Sequence, residues 1–314
     1  MATTEVYGSG DSYRKSTELA VFIPEIWTDS IRATFKQKLK LGALATDYSS
    51  LVSGGGDKIH IPTMQDVGNA AELTEGNAVD YASPTEVELT IEPTDHYYTS
   101  AMIQDLAVVQ SSQELFSGYA DSMAYKLALR IEVALQAKLA ANVNGIDIAA
   151  GASASLDKDA LHTVITELYA ENVNPEECTL ILTNGLYASL FKADDFIHIS
   201  KTGISNYGSG VVGTVMGMNV IQCPQINGTT AVPAALVNQA GSAVADDVVI
   251  GGYVVHNSAL GIAYSKRPTM NSEYDMDYIA HKMVADMVYG CELLQDTNQK
   301  KVFTLFETGN TSQL

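Results

Sequence analysis

The stretch SSQELFSGYADSMAYKLALRIEVALQAKLAANV, Ser111 to Val143, decides how the rest of the chain is read. It holds one glycine, Gly118, and no proline, and it is rich in Ala, Leu, Lys, Arg, Gln and Glu, which lose least on entering a helix. Leu115, Tyr119, Met123, Leu127, Ile131, Leu135 and Leu139 recur every fourth residue. A helix turns about 100° per residue, so each such step advances the row by about 40°. Six steps wind it roughly 240° around the axis. No single flat partner covers such a row. The spacing therefore predicts a helix about 50 Å long that buries one side near its start and another near its end. Such a helix is a spine joining two packed bodies. A long core helix in an ordinary domain is the plainer reading of the same stripe, and the flanking sequence decides between them.

The chain has 314 residues, enough for two domains or one large one. Hydrophobic residues make up 46% and charged residues 18%, so a core can form and the chain is not disordered. The formal charge is −19, which argues against binding nucleic acid by neutralising phosphates and against an anionic membrane surface. The plainest use of that charge is solubility. Three scattered cysteines, Cys178, Cys223 and Cys291, form no CxxC pair and point to a reducing compartment rather than a disulfide framework or zinc site. The apolar run Leu19 to Ile23 is too short for a signal peptide, and nothing approaches a membrane span.

Residues 1–20 are polar and read as an arm that stays mobile until something holds it. Pro24 then opens a short helix with Trp27, Ile31, Phe35 and Leu39 as an apolar stripe. Glu25 and Asp29 near its start and Lys36, Lys38 and Lys40 near its end suit the helix dipole, and Gly42 stops it. The stripe either packs back on its own chain or lies on a neighbour. After the joint Ser53 to Gly56, Lys58 to Pro62 and Glu86 to Ile91 read as two strands with a polar excursion and a turn at Gly76-Asn77 between them. Two strands with such an excursion make a protruding arm, which is marginal in water unless it rests on something.

Charge is uneven along this part. From Ile59 to Tyr125 there are eleven acids, among them Glu72, Glu75, Glu86 and Glu88, and no Lys or Arg. Arg32, Lys36, Lys38 and Lys40 lie just upstream. Two solvated faces explain this pattern. The sharper expectation is that the acidic arm of one copy meets basic positions on another, because complementary fields set register.

Past the spine, Gly145 to Ser155 is a small-residue joint. Leu161, Val164, Ile165, Leu168 and Tyr169 mark an amphipathic helix ended by Asn174-Pro175. Cys178 to Thr183 is an apolar strand, and Asn184 caps a helix through Lys192. Ile197 to Gly210, which includes Tyr207, reads as a long contact loop. Val211 to Val220, Val248 to His256 and Leu260 to Ser265 read as strands, giving an α+β domain. Tyr274 to Tyr289, Glu292 to Leu294 and Val302 to Phe306 then read as strands that return to the spine.

Motifs for chemistry are weak. Gly208, Gly210 and Gly213 satisfy GxGxxG, but a strand pattern follows instead of a helix and no acid stands about twenty residues on. Gly54-Gly55-Gly56 with Lys58 lacks the spacing of a phosphate loop. None of the six histidines sits at metal spacing, and no serine or cysteine nucleophile signature is present. No catalytic, cofactor-binding or metal residue is assigned.

The order of parts resembles the major capsid protein of tailed bacteriophages, the Hong Kong 97-type capsid fold. Phe22-Ile23-Pro24-Glu25-Ile26-Trp27, a helix, and Gly56-Asp57-Lys58-Ile59-His60-Ile61-Pro62 look like that family's N-terminal arm leading into its extended loop. Gly210 to Ile226, with Gly213, Gly217, Val220 and Pro224, looks like its axial-domain strands. Tyr274 to Leu294, with Gly290, looks like the closing strands of its peripheral domain. The resemblance implies an α+β fold with an N-terminal arm at 1–52 and an extended β-hairpin loop at 53–104. The spine helix and peripheral domain follow at 105–150, the axial domain at 151–268, and the returning strands at 269–314. It implies a virion protein, made in the host bacterial cytoplasm, that forms hexamers and pentamers in an icosahedral shell around double-stranded DNA. The expected partners are other copies of itself, a separate scaffolding protein, a portal protein and optionally a decoration protein, with packaged DNA held without sequence reading and no membrane. About fifty residues precede the extended loop, so a fused scaffolding segment is not expected. Lys58 is the only Lys on the loop, and the family's covalent cross-link is not carried over. An acidic wall lets DNA slide rather than stick. The residues expected at contacts between copies are Trp27, Ile31, Arg32, Phe35, Lys36, Lys38, Lys40, Glu72, Glu75, Glu86, Glu88 and Tyr207. The alternatives are an encapsulin-type compartment shell of the same fold and, more remotely, a soluble α+β enzyme with a site assembled in space.

Overall fold

The computed structural model describes residues 39–52, 58–64, 70, 72, 78–79, 81, 86–104, 115–148, 156, 158–190, 213–224, 236–238, 248–296 and 299–308. The helix Leu115–Ala140 is the longest element. Met123, Leu127, Ile131, Leu135 and Leu139 are all buried, whereas Tyr119 is exposed. The buried row faces one continuous core rather than two opposite sides, because that core is itself drawn from two sheets. Ile103, Met283, Ala285, Met287 and Tyr289 come from one sheet and Ile250, Tyr253, Val255 and Val302 from the other. A winding row can stay covered when its partner changes along its length.

The first sheet has four strands in the order β1 (Thr46–Asp47), β10 (Leu260–Asp275), β11 (Ala280–Leu293), β4 (Asp95–Gln104). β10 and β11 form a long antiparallel hairpin from Leu260 opposite Leu293 to Asp275 opposite Ala280. The pattern-based strand Tyr274 to Tyr289 is therefore a correction: Met276 to Ile279 form the turn of this hairpin. The turn lacks Gly and Pro; Asp275 organises it by accepting a bond from the Asp277 N–H at 2.9 Å. β4 has no counterpart in the sequence reading. Its inward residues include Thr99 and Ala101, too small and polar to give an alternating apolar signal.

The second sheet has six strands in the order β5 (Gly145–Asp147), β12 (Val302–Thr308), β9 (Val248–His256), β6 (Cys178–Leu182), β8 (Met218–Gln222), β7 (Thr214–Val215). β5 stands where a small-residue joint was expected, parallel to β12. Within the single strand expected over Val211 to Val220, the described residues form two antiparallel strands, β7 and β8, joined by the turn Met216-Gly217, with both residues at positive φ as a type I′ turn requires. Helices Lys158–Ala170 and Asn184–Leu190 pack on this sheet, burying Leu161, Val164, Leu168, Leu186 and Leu190 with Leu180, Leu182 and Val254. The first ends in a Schellman motif with Asn172 at φ 57°: the Val173 N–H reaches the Leu168 carbonyl at 2.8 Å. The second is capped by Thr183, not Asn184; the Thr183 hydroxyl accepts from the Leu186 N–H at 3.4 Å and its carbonyl from the Tyr187 N–H at 2.9 Å.

A polar knot ties the end of the long helix to the second sheet. Buried Asn142 donates to the carbonyls of Asn144 at 2.9 Å and Val302 at 3.1 Å and accepts from Gln295 Nε2 at 2.8 Å. The two-stranded arm, β2 (Ile59–Met64) against β3 (Glu86–Ile91), rises from a third cluster of Val52, Ile59, Ile91, Ala263 and Leu294.

Candidate assembly surfaces

The arm is amphipathic by register. Ile59 faces Ile91, Ile61 faces Leu89 and Thr63 faces Val87 on one side, and His60, Pro62 and Met64 face Thr90, Glu88 and Glu86 on the other. Burial along the apolar side falls outward. Ile59 and Ile91 at the base are buried, and Ile61, Leu89 and Val87 further out are half-covered. On the polar side Glu88 pairs with His60, and Lys58 closes the base on Glu92 at 2.6 Å. The elbow that follows, Glu92 to Thr94, lies on Gly290 of β11. A Cβ at Gly290 would overlap the Glu92 carbonyl and stand 2.8 Å from Pro93 Cα. Only glycine allows that seat.

Glu132 anchors the backbone at Leu41 and Gly42. It lies on the long helix at 2% exposure. One carboxylate oxygen accepts the Leu41 N–H and the other the Gly42 N–H, each at 2.9 Å. Leu41, fully buried, enters the main core beside it. The carboxylate thus fixes the backbone at Leu41 and Gly42 against the long helix. Ionised oxygens on backbone N–H groups make stronger bonds than neutral acceptors do. Sequence spacing carries no trace of this link, since the partners are 91 and 90 residues apart.

The four-stranded sheet has two unlike faces. Toward the helix it presents Met283, Ala285, Met287 and Tyr289, all buried. Away from it stand Tyr98 at 72% exposure, Met102 at 51% and Val284 at 40%. Between them Asp286 accepts from Lys266 Nζ at 2.6 Å and lies 3.1 Å from His96 Nε2. Those two partners, Lys266 first, hold the Asp286 carboxyl below its ordinary value. Lys282 does the same for Asp275 at the hairpin tip, and the Ser49 hydroxyl, ahead of Arg267, does so for Asp47. The tip exposes Met276, Tyr278 and Ile279, with Ile279 at φ 49°, a conformation β-branched residues seldom adopt.

Of the expected contact residues, Trp27, Ile31, Arg32, Phe35, Lys36, Lys38, Glu75 and Tyr207 lie outside the described residues. Lys40 is half-buried beside the Glu132 anchor, Glu72 is exposed, and Glu86 and Glu88 are exposed on β3. The reading from sequence did not single out Glu132, Tyr98 or Met102, and it named Gly290 without its role as the seat of the elbow. Nothing among the described residues assembles a reactive centre. No group of three or more potential metal ligands occurs there. Burial pushes the Cys178 and Cys291 thiols up to about 11, so both are poor nucleophiles at neutral pH.

The sequence matches no protein-family model and no curated protein. Solved structures do match. The capsid of cyanophage P-SCSP1u superposes with a TM-score of 0.72 at 16% identity, covering 93% of this chain and 95% of that one. The mature capsid of bacteriophage PhiM1 gives 0.70 at 17% identity over 92% and 93%. A structure from Mycobacterium phage Che8 gives 0.70 at 16% over 90% and 97%. Identity this low establishes shared architecture, and the coverage establishes it for almost the whole of both chains. The chain therefore has the fold found in solved phage capsids, an α+β architecture of sheets around one long helix.

Proposed function

We infer that this chain is a major capsid protein, with a structural role and no catalysis. It assembles with copies of itself, as hexamers and pentamers, into an icosahedral phage head that encloses double-stranded DNA. The observation that carries the reading is the likeness to phage capsid structures over more than nine-tenths of each chain. The surfaces support it. An arm buried at its base, an apolar hairpin tip and a sheet with half-bare apolar residues are what a subunit needs when neighbours supply the second half of its contacts. The arm built on β2 and β3, residues 59–91, and the segment ahead of Leu41 are the limbs that reach neighbours. Glu72, Glu75, Glu86 and Glu88 on one limb and Arg32, Lys36, Lys38 and Lys40 on the other supply complementary charge. A separate scaffolding protein guides closure, and a portal protein occupies one vertex. The acidic balance of the whole chain, net −19, keeps DNA from sticking to the wall.

The test is to express the protein alone and with a candidate scaffolding protein, and to examine it by sedimentation and negative-stain microscopy. Closed megadalton particles are expected. A discrete monomer or dimer under every condition overturns the reading.

A further inference from the structure

The four-stranded sheet ends in two edges, and the chain treats them differently. On β10, β1 covers only Gly261 and Ile262. The rest of that edge carries Lys266, Arg267 and Pro268 in succession, two register shifts between Tyr264 and Thr269, and Glu273 and Asp275 near its end. Charge, proline and bulges are the devices by which an edge strand avoids pairing with foreign strands.

β4, at the opposite edge, has none of them. Its ten residues, DHYYTSAMIQ, pair on one side with β11 from Asp95 to Gln104 without a register shift. Asp95 stands at the very start, and His96 is held by Asp286. From Tyr97 to Gln104 there is no charge, proline or glycine. Among the described residues no strand pairs with the other side of β4. About half of its residues therefore turn an N–H and a C=O outward, ready for a ladder. Other edges are short or blunted: β5 has three residues, β7 two, β2 contains Pro62, and β3 carries Glu86 and Glu88. A chain that protects one edge of a sheet so fully and leaves the other long and uncharged uses the second.

We propose that the free edge of β4 pairs with an extended segment of a second copy of this chain, continuing the four-stranded sheet across the boundary between subunits. The proposal rests on the shell reading, since that reading supplies many copies at fixed spacing. Strand addition draws affinity from the main chain and register from alternate side chains. Here Tyr98 and Met102, exposed on one face beside the edge, offer apolar neighbours to the incoming strand.

Amide hydrogen exchange in the peptide 95–104 tests it, comparing particles of this chain alone with unassembled subunits. In particles the outward amides slow by about 100-fold or more while the inward ones, already paired with β11, change little. Equal exchange in the two states overturns the proposal and leaves the shell reading standing. Protection that appears only when a different protein is added overturns the second copy as occupant. Failure to form particles at all overturns both. Ser100→Lys on β4 and Asn271→Lys on β10 lie in one row across the sheet, each opposite or next to Val284. Both positions are exposed. Ser100→Lys should cut particle yield at least about tenfold without changing subunit melting, and Asn271→Lys should not. Equal yields from the two variants contradict the proposal.

Discussion

β6 and the outer part of β10 are both strands of this chain, and they could hardly differ more. All five residues of β6, Cys-Thr-Leu-Ile-Leu, are buried, with β9 and β8 as neighbours on its two edges. β10 starts the same way, with Leu260 to Ala263 buried, and then runs exposed from Ser265 to Tyr274. One sheet is complete within the subunit. The other is complete at its root and open at its far end. Local burial holds the fold, and the far end of β10 adds little to it.

Stability should follow that division. Leu180→Ala, in the closed sheet, removes a fully buried side chain and should cost about 2–5 kcal/mol. Val284→Ala, on the open face, should cost under about 0.5 kcal/mol in the isolated subunit yet reduce assembly. Denaturant unfolding of subunits measures the first pair, and particle yield the second. Comparable losses of subunit stability would erase the distinction between the regions.

The Glu132 anchor tests where the division lies. Glu132→Ala leaves the buried Leu41 N–H and the part-buried Gly42 N–H without their acceptors and should cost about 2–4 kcal/mol. Glu132→Gln keeps one acceptor oxygen and should cost roughly half of that. Exchange at the Leu41 and Gly42 amides should quicken in both variants, while amides of Met123 to Leu139 stay protected. Gly290→Ala comes next in size. The new methyl pushes the Glu92–Thr94 elbow off its seat, at about 1–3 kcal/mol. Subunits should still fold, and arms held at a wrong angle should close into fewer regular particles under the microscope.

The smallest effect is electrostatic. Asp286, Asp275 and Asp47 have folded-state values below those of the free side chain. Each contributes stability that is present above the unfolded value, about pH 4, and lost as pH falls through the folded value. All three are at or near the surface, so the melting temperature of subunits should drop only slightly between about pH 5 and pH 3 beyond what general acid expansion causes.

What could be read from sequence follows the same line. The long helix is legible because Met123 to Leu139 recur at a fixed interval and face a large core. β3 is legible because Val87, Leu89 and Ile91 alternate with polar residues, and its bounds match the reading. The helix Lys158–Ala170 is legible for a like reason. Elements of the open sheet are harder. β4 puts Thr99 and Ala101 inward and Tyr98 and Met102 outward, the reverse of an ordinary pattern. The β10–β11 turn consists of Met276, Asp277, Tyr278 and Ile279, with no Gly or Pro and one turn-favouring residue, Asp277, among three large apolar ones. This sheet keeps apolar side chains such as Tyr98 and Met102 outside, so a reading that equates apolar with inside fails there. The anchor at Glu132 was illegible because a carboxylate bound to main-chain groups 90 residues away leaves no pattern.

The most direct test is a reconstruction of the assembled particle at side-chain resolution. Density from neighbouring copies is predicted against Ile61, Val87 and Leu89 of the arm and against Tyr98, Met102 and Val284 of the sheet, with the six-stranded sheet unchanged from the free subunit. Particles in which those side chains face solvent, or a subunit that stays single while burying them on itself, would contradict the account.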